Sequence, residues 1–214
     1  MIKLERTSVM NLDNATRGMR NPMNSWEKSD SYWTHLENPD TMNEAPFQFF
    51  MGENDLKLAH GLAQAGSDHR KFLRQIFVSV DITAPLYWWK EYDTYKVGTV
   101  ANSCSTMHTI HKKEFVPEDF SCERMTADGI VALRVVIDQL NRDRLAFLET
   151  KDTDYWDDMI QLLPTSYNQM RTCTLNYENL MNIYYARRYH KLAEWHTLCD
   201  WIETLPYFAA ICLK

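Results

Sequence analysis

The 214-residue sequence has no CxxC pair, no excess of positive charge, no internal repeat and no low-complexity tract. Nor does it contain a run approaching the ~18 apolar residues that suggest a membrane span. Each absence excludes a class. Cys104, Cys122, Cys173, Cys199 and Cys212 are odd in number and lack metal-ligand spacing, which fits a reduced cytoplasmic protein better than a disulfide framework or a structural zinc site. A net charge of −6 argues against nucleic-acid binding through a general basic face. A local basic pocket would need only Arg187, Arg188 and Lys191. The opening MIKLERTSVM carries charges throughout and has no apolar core, so neither a signal peptide nor a membrane partner is expected. Without a linker, residues 1–214 are expected to form one domain.

What is present is ordinary in bulk, with 45% hydrophobic and 24% charged residues. The aromatic share of 13% is high, so part of the surface is expected to meet a ligand or a second subunit. Residues 1–4 suggest a short strand, 8–21 a turn or short helix, and 22–46 an ordered loop rich in Pro and Asn. A helix is predicted over 53–65, with Leu56, Leu58, Ala59 and Leu62 on its apolar face and Gly66 stopping it. Ile76, Val78, Val80 and Ile82 then alternate with polar neighbours, and Phe77 is the apolar exception on the outer face. This is the clearest strand. Pro85 is placed at the first position of a helix made bulky by Leu86, Trp88, Trp89 and Tyr92. Residues 98–108 read as a loop. The longest helix is predicted over 126–149, with Ile130, Leu133, Val136, Ile137 and Leu140 as its core stripe. A shorter helix over 154–163 ends at Pro164. Residues 175–203 form one long helix or two abutting ones, and 207–213 a packing turn. The sum is α+β, with few strands and many helices.

Two stretches carry candidate chemistry. In residues 98–106, Gly98, Thr99, Ser103, Ser105 and Thr106 offer small side chains and hydroxyl donors that suit phosphate, with Lys96 for charge. The competing reading is a solvated turn. On the helix near 176–187, a period of about 100° per residue puts Asn176, Asn179, Ile183 and Arg187 on one face. Amides ending in a guanidinium suit a planar, hydrogen-bonding ligand, and Arg187 suits an oxygen that gains negative charge. The alternative is a set of capping and interhelical hydrogen bonds. Cys104 is expected to be buried and inert rather than a nucleophile. His108-x-x-His111, and His190 with Glu194 and His196, lack a full ligand set, so no metal is expected. Trp88-Trp89 and Tyr184-Tyr185 belong to core or subunit interface.

From about Glu53 onward, except the long middle segment after His111, the chain resembles the flavin-dependent thymidylate synthases. The likeness rests on LAQAGSDHR, the strand, APLYWWKE and the NSCS loop, then Leu163-Pro164, Asn176, Leu180-Met181-Asn182, Arg187 and Glu194-Trp195. It implies that His69, Lys96, Asn176 and Asn182 contact flavin and that Arg187 binds and polarises the uracil ring. It also implies that Glu91, Ser103, Cys104, Ser105 and Thr106 meet the nucleotide, with Ser105 at the phosphate. The chain departs from the family where Thr94-Tyr95-Lys96 replaces Arg-His-Arg and where Glu91 replaces Gln. Ser103 stands for an acid, Met107 for a nucleotide-binding Arg, and Glu178 for the Arg between the two Asn. The implied protein is a thymidylate-synthase-complementing-protein-like α+β domain, with a small antiparallel sheet packed against helices. It would be a homotetramer using FAD, with methylenetetrahydrofolate and NADPH as co-substrates, to methylate dUMP at C5. The departures leave two alternatives: a flavin- or nucleotide-binding homologue without that activity, or an enzyme making another C5-modified pyrimidine nucleotide.

Overall fold

The computed structural model describes residues 2–35 and 47–214. In chain order the elements are β1 (Lys3–Met10), α1 (Leu12–Arg20), β2 (Tyr32–His35), β3 (Phe47–Phe50), α2 (Glu53–Gln64), β4 (Phe77–Pro85), α3 (Leu86–Tyr92) and β5 (Val100–Ser103). They continue with α4 (Thr106–Thr109), α5 (Ala127–Thr150), α6 (Thr153–Leu162), β6 (Asn168–Asn176), α7 (Tyr177–Arg187), α8 (Ala193–Glu203) and α9 (Phe208–Cys212). One sheet has the order β1-β4-β6-β5, and β2 pairs with β3 antiparallel in a second. The class is α+β, a small antiparallel sheet packed with helices, as expected.

β4 forms as its alternation predicts. Ile76, Val78, Val80 and Ile82 are almost fully buried, while Phe77 is 42% exposed on the other face. That other face pairs polar groups across to β6. Ser79 Oγ lies 2.6 Å from Thr174 Oγ1, and Thr172 Oγ1 donates to Asp81 at 2.5 Å. Partner numbers rise on one strand as they fall on the other, so the two run antiparallel.

β6 itself has no apolar alternation to announce it. The polar side chains of Gln169 and Arg171 are accommodated by specific partners instead. Gln169 donates Nε2–H to the Cys104 carbonyl at 2.8 Å, and Arg171 lies 4.1 Å over the Trp89 ring and 2.8 Å from Asp93. β5 is also a correction to the predicted loop: Val100–Ser103 is exposed throughout, so no hydrophobic period marks it. The former loop then closes in α4.

Several boundaries shift for local reasons. Pro85 ends β4 in extended geometry and caps α3 rather than entering it; the Leu86 and Tyr87 N–H groups donate to Tyr167 and Thr165 carbonyls, both at 3.0 Å. On α2 the buried positions are Asp55, Ala59 and Ala63, with Leu56, Leu58 and Leu62 half-buried. The reason is the Asp55 carboxylate, which is drawn inside by Arg20. Thr126 caps α5, accepting from Gly129 N–H at 3.2 Å. Leu133, Ile137 and Leu140 of α5 then pack with Ile110, Phe115, Phe120 and Met159. The segment 175–203 is a strand end followed by two helices, and a turn at residues 188–192 divides them. In the segment expected as a loop over 22–46, β2 forms and stacks Trp33 on Phe47 of β3, ring centroids 5.1 Å apart; residues 36–46 lie outside the described residues.

Packing groups the residues into two compact units. The first comprises residues 1–5, 81–94 and 101–173, and the second residues 6–80, 95–100 and 174–214. Trp88, Trp89 and Tyr92 are core in the first; Tyr177, Trp195 and Phe208 are core in the second. Among the described residues no helix is long and apolar enough to cross a membrane.

Candidate functional site

In the second unit the polar chemistry gathers around α7. Asn176 caps the helix: its Oδ1 accepts the Asn179 N–H at 3.0 Å, while Asn179 Oδ1 accepts the Asn176 N–H at 3.3 Å. Asn179 Nδ2 donates to the Val97 carbonyl at 2.7 Å, which brings residues 95–98 against the start of the helix. Gly98 is required there. Its φ is +74°, and a Cβ would sit 2.9 Å from Asn179 Oδ1. The amide row expected to face a ligand is therefore partly a capping box, and Ile183 is fully buried. Asn182 stays exposed.

Arg187, at the C-terminal end of α7, is held from two sides. Its Nε donates to the Tyr95 hydroxyl at 2.8 Å, and its guanidinium lies 4.8 Å from the Trp195 ring centre and 5.6 Å from that of Tyr95. The rings of Tyr95 and Trp195 meet edge to face at 6.0 Å.

Glu178 has the opposite surroundings. Its carboxylate accepts from Arg70 Nε at 3.1 Å and from Arg74 Nε and Nη2. Burial pushes the Glu178 carboxyl up, but the bonds and charges of Arg74 and then Arg70 outweigh it and hold it below the ordinary range. Arg74 is pushed up in return, first by its bond to Glu178. The position that departs from the family Arg is thus a carboxylate bound by two arginines. His69 precedes them, exposed, with its N–H on the Gly66 carbonyl at 3.2 Å; Lys96 is exposed too. The sequence marks Tyr95 only as a departure from the family triplet and not as a partner of Arg187, and it does not single out the Arg70–Arg74 pair, although the basic spacing i, i+4 beside His69 is there to be noticed.

In the first unit, residues 103–106 are more open. Ser103 and Cys104 are exposed, so Cys104 is not the buried thiol expected; it lies where β5 ends, with its N–H on the Met170 carbonyl at 2.9 Å. Burial pushes the thiols of Cys173 and Cys199 up to about 11 and that of Cys212 to about 12, and all five cysteines are free. Ser105 caps α4, its hydroxyl accepting the His108 N–H at 3.1 Å, and its carbonyl accepts the Thr109 hydroxyl. Thr106 is half-buried in α4. Glu91 is half-buried near the end of α3, its carbonyl accepting the Thr94 hydroxyl at 2.7 Å. A cavity of about 530 Å³ in this unit is lined by Lys3, Thr83, Asp119, Glu123 and Asn168 among others, and by none of the expected site residues. Among the described residues no group of three or more His, Cys, Asp or Glu side chains is arranged to hold a metal ion.

No family model matches the sequence, and no curated protein matches it. Solved structures do. Thymidylate synthase X (ThyX) from Helicobacter pylori with FAD and dUMP aligns with a TM-score of 0.68 at 16% identity, covering 100% of this chain and 98% of that one. The flavin-dependent thymidylate synthase ThyX from Helicobacter pylori, complexed with FAD and dUMP, aligns at 0.66 with 18% identity over 100% and 99%. The fold is shared with the flavin-dependent thymidylate synthases. Within that shared fold this chain has its own side chains at the positions noted above, Tyr95 and Glu178 foremost.

Proposed function

We propose that the chain is an FAD-binding, thymidylate-synthase-like enzyme that holds a deoxyuridine nucleotide and methylates its uracil ring at C5. Methylenetetrahydrofolate would give the one-carbon unit and NADPH would reduce the flavin. The observation that carries the reading is the full-length likeness to two structures holding FAD and dUMP. The residues of the second unit fit a flavin. His69, Lys96 and Asn182 are exposed donors, and Asn176, after using Oδ1 as a cap, keeps its Nδ2 donor. When bound, reduced FAD supplies the hydride.

The protein's own part is to orient and polarise. Arg187 donates to a uracil carbonyl oxygen and stabilises the charge that grows there during addition at C5. Its aromatic walls keep water back and strengthen that interaction. In the first unit, Glu91, Ser103, Cys104, Ser105 and Thr106 are assigned to the nucleotide. The Ser105 hydroxyl accepts from His108 and still has its own proton to donate to phosphate. The protein is proposed to be cytoplasmic and homotetrameric. Purified protein should bind FAD and release tritium from C5-labelled dUMP when supplied with folate and reductant. Colourless protein without affinity for added FAD removes the reading.

A second reading is favoured by Glu178, which ties up Arg70 and Arg74. It is a nucleotide- or flavin-binding homologue without methyl transfer. Rescue of a thymidine auxotroph excludes it. The mass of the nucleotide after incubation separates methylation from another C5 modification.

A further inference from the structure

We infer that Tyr95 is a positioning residue for Arg187: its phenol oxygen fixes the guanidinium in the orientation that receives the pyrimidine. The inference deepens the function proposed above and rests on it. Tyr95 stands in the Thr94-Tyr95-Lys96 triplet, where the resemblance gives the family Arg-His-Arg, and its ring is half-buried. The phenol oxygen accepts the Arg187 Nε–H at 2.8 Å, and that bond is made to a charged donor. A guanidinium is planar, so fixing Nε leaves rotation of the fork about that bond axis as the main freedom. Trp195 restricts it, with its ring centre 4.8 Å from Cζ, while Tyr95 and Trp195 meet edge to face. These two rings and this hydrogen bond therefore take part in setting where the guanidinium points. Orientation matters because a bidentate guanidinium contact is lost by a small rotation that would leave a spherical ammonium contact intact.

The loop that carries Tyr95 is itself anchored at the other end of α7. Asn179 holds the Val97 carbonyl, and Gly98 takes the left-handed turn that allows the approach. Tyr95 is thus placed by one end of the helix and acts on a residue at the opposite end.

The test uses the full chain and equilibrium titration of dUMP and of FAD. Tyr95→Phe keeps the ring and removes only the acceptor. Its dUMP affinity should fall about tenfold, the loss of one charge-assisted hydrogen bond, with FAD affinity within about twofold of wild type and the melting temperature unchanged. Arg187→Lys keeps the charge but has no Nε–H, so adding Tyr95→Phe to it should change dUMP affinity by less than about twofold. Equal tenfold losses in both backgrounds would show Tyr95 acting independently of Arg187 and overturn the inference. So would a Tyr95→Phe variant that binds dUMP like wild type, or one that loses FAD, dUMP and thermal stability together. Wild-type protein that binds neither ligand removes the function proposed above, and this inference with it.

Discussion

Asp55 and Glu178 each collect several donors around one carboxylate, and the second unit uses the two clusters differently. Asp55 accepts from Arg20 Nε at 2.5 Å, from the Ser29 and Ser31 hydroxyls at 2.6 and 2.5 Å, and from the Ser31 N–H at 3.2 Å. Its side chain is 0% exposed and that of Arg20 5%. Glu178 is 13% exposed, but its partners Arg70 and Arg74 are 23% and 52% exposed. The chemistry is the same and the surroundings are not. Removing Arg20 strands a charge in the interior, whereas water can replace much of what Arg74 provides. The first cluster is a structural fastening of α1 and residues 29–31 to α2. The second is a half-exposed ion-pair cluster that ties residues 70–74 to the start of α7.

The largest effect should come from Arg20→Ala, which leaves Asp55 buried without its counter-charge. Denaturant unfolding is expected to show a loss of about 3–5 kcal/mol, and a loss under 1 kcal/mol would mean the two clusters are equivalent. Next comes Arg187→Ala, which touches ligand rather than fold. Affinity for dUMP should fall about 100-fold while unfolding free energy changes far less. Third, Glu178→Gln should cost about 1 kcal/mol at neutral pH, after allowance for the exposure of Arg74.

This third variant also has a pH signature. Glu178 is held below its ordinary value of 4.5, so its contribution is present above that pH and is lost as pH falls through the lowered folded value. Asp55 behaves alike below 3.8: burial opposes its charge first, but the bonds of Ser29, Ser31 and Arg20 prevail. Wild type and Glu178→Gln should therefore draw together in stability as pH falls from 4.5 through the lowered folded value of Glu178, while both also lose the Asp55 contribution as pH falls below 3.8. Parallel curves throughout that range would remove Glu178 from the account. Smallest of all, Arg74→Ala should leave the denaturant midpoint almost unchanged, because water replaces what this exposed side chain provides. A larger loss would place it with Arg20.

Neither cluster was legible in the sequence, because the partners are 35 residues apart in one and up to 108 in the other. What was legible followed a period. β4 was readable from Ile76, Val78, Val80 and Ile82, and α5 from Leu133, Ile137 and Leu140, because burial of one face imposes spacing on the chain. β6 was not, since partners on other elements accept Gln169 and Arg171 where a period would have needed apolar residues. The candidate site divides in the same way. Arg187 was chosen from its place on one helix face, and that face was recognisable locally. Its contact with Tyr95 was not, and the amides at the opposite end of the same helix face cap α7.

The chain by itself determined its α+β class, its principal helices and its most regular strand, because a half-buried helix or strand must repeat apolar residues at a fixed interval. Only the tertiary structure decided that Asn176 caps, that Glu178 binds two arginines, that Cys104 is exposed and that Arg187 is held by Tyr95 and Trp195. Those outcomes depend on which distant groups meet at hydrogen-bonding distance, and no local period encodes such a meeting.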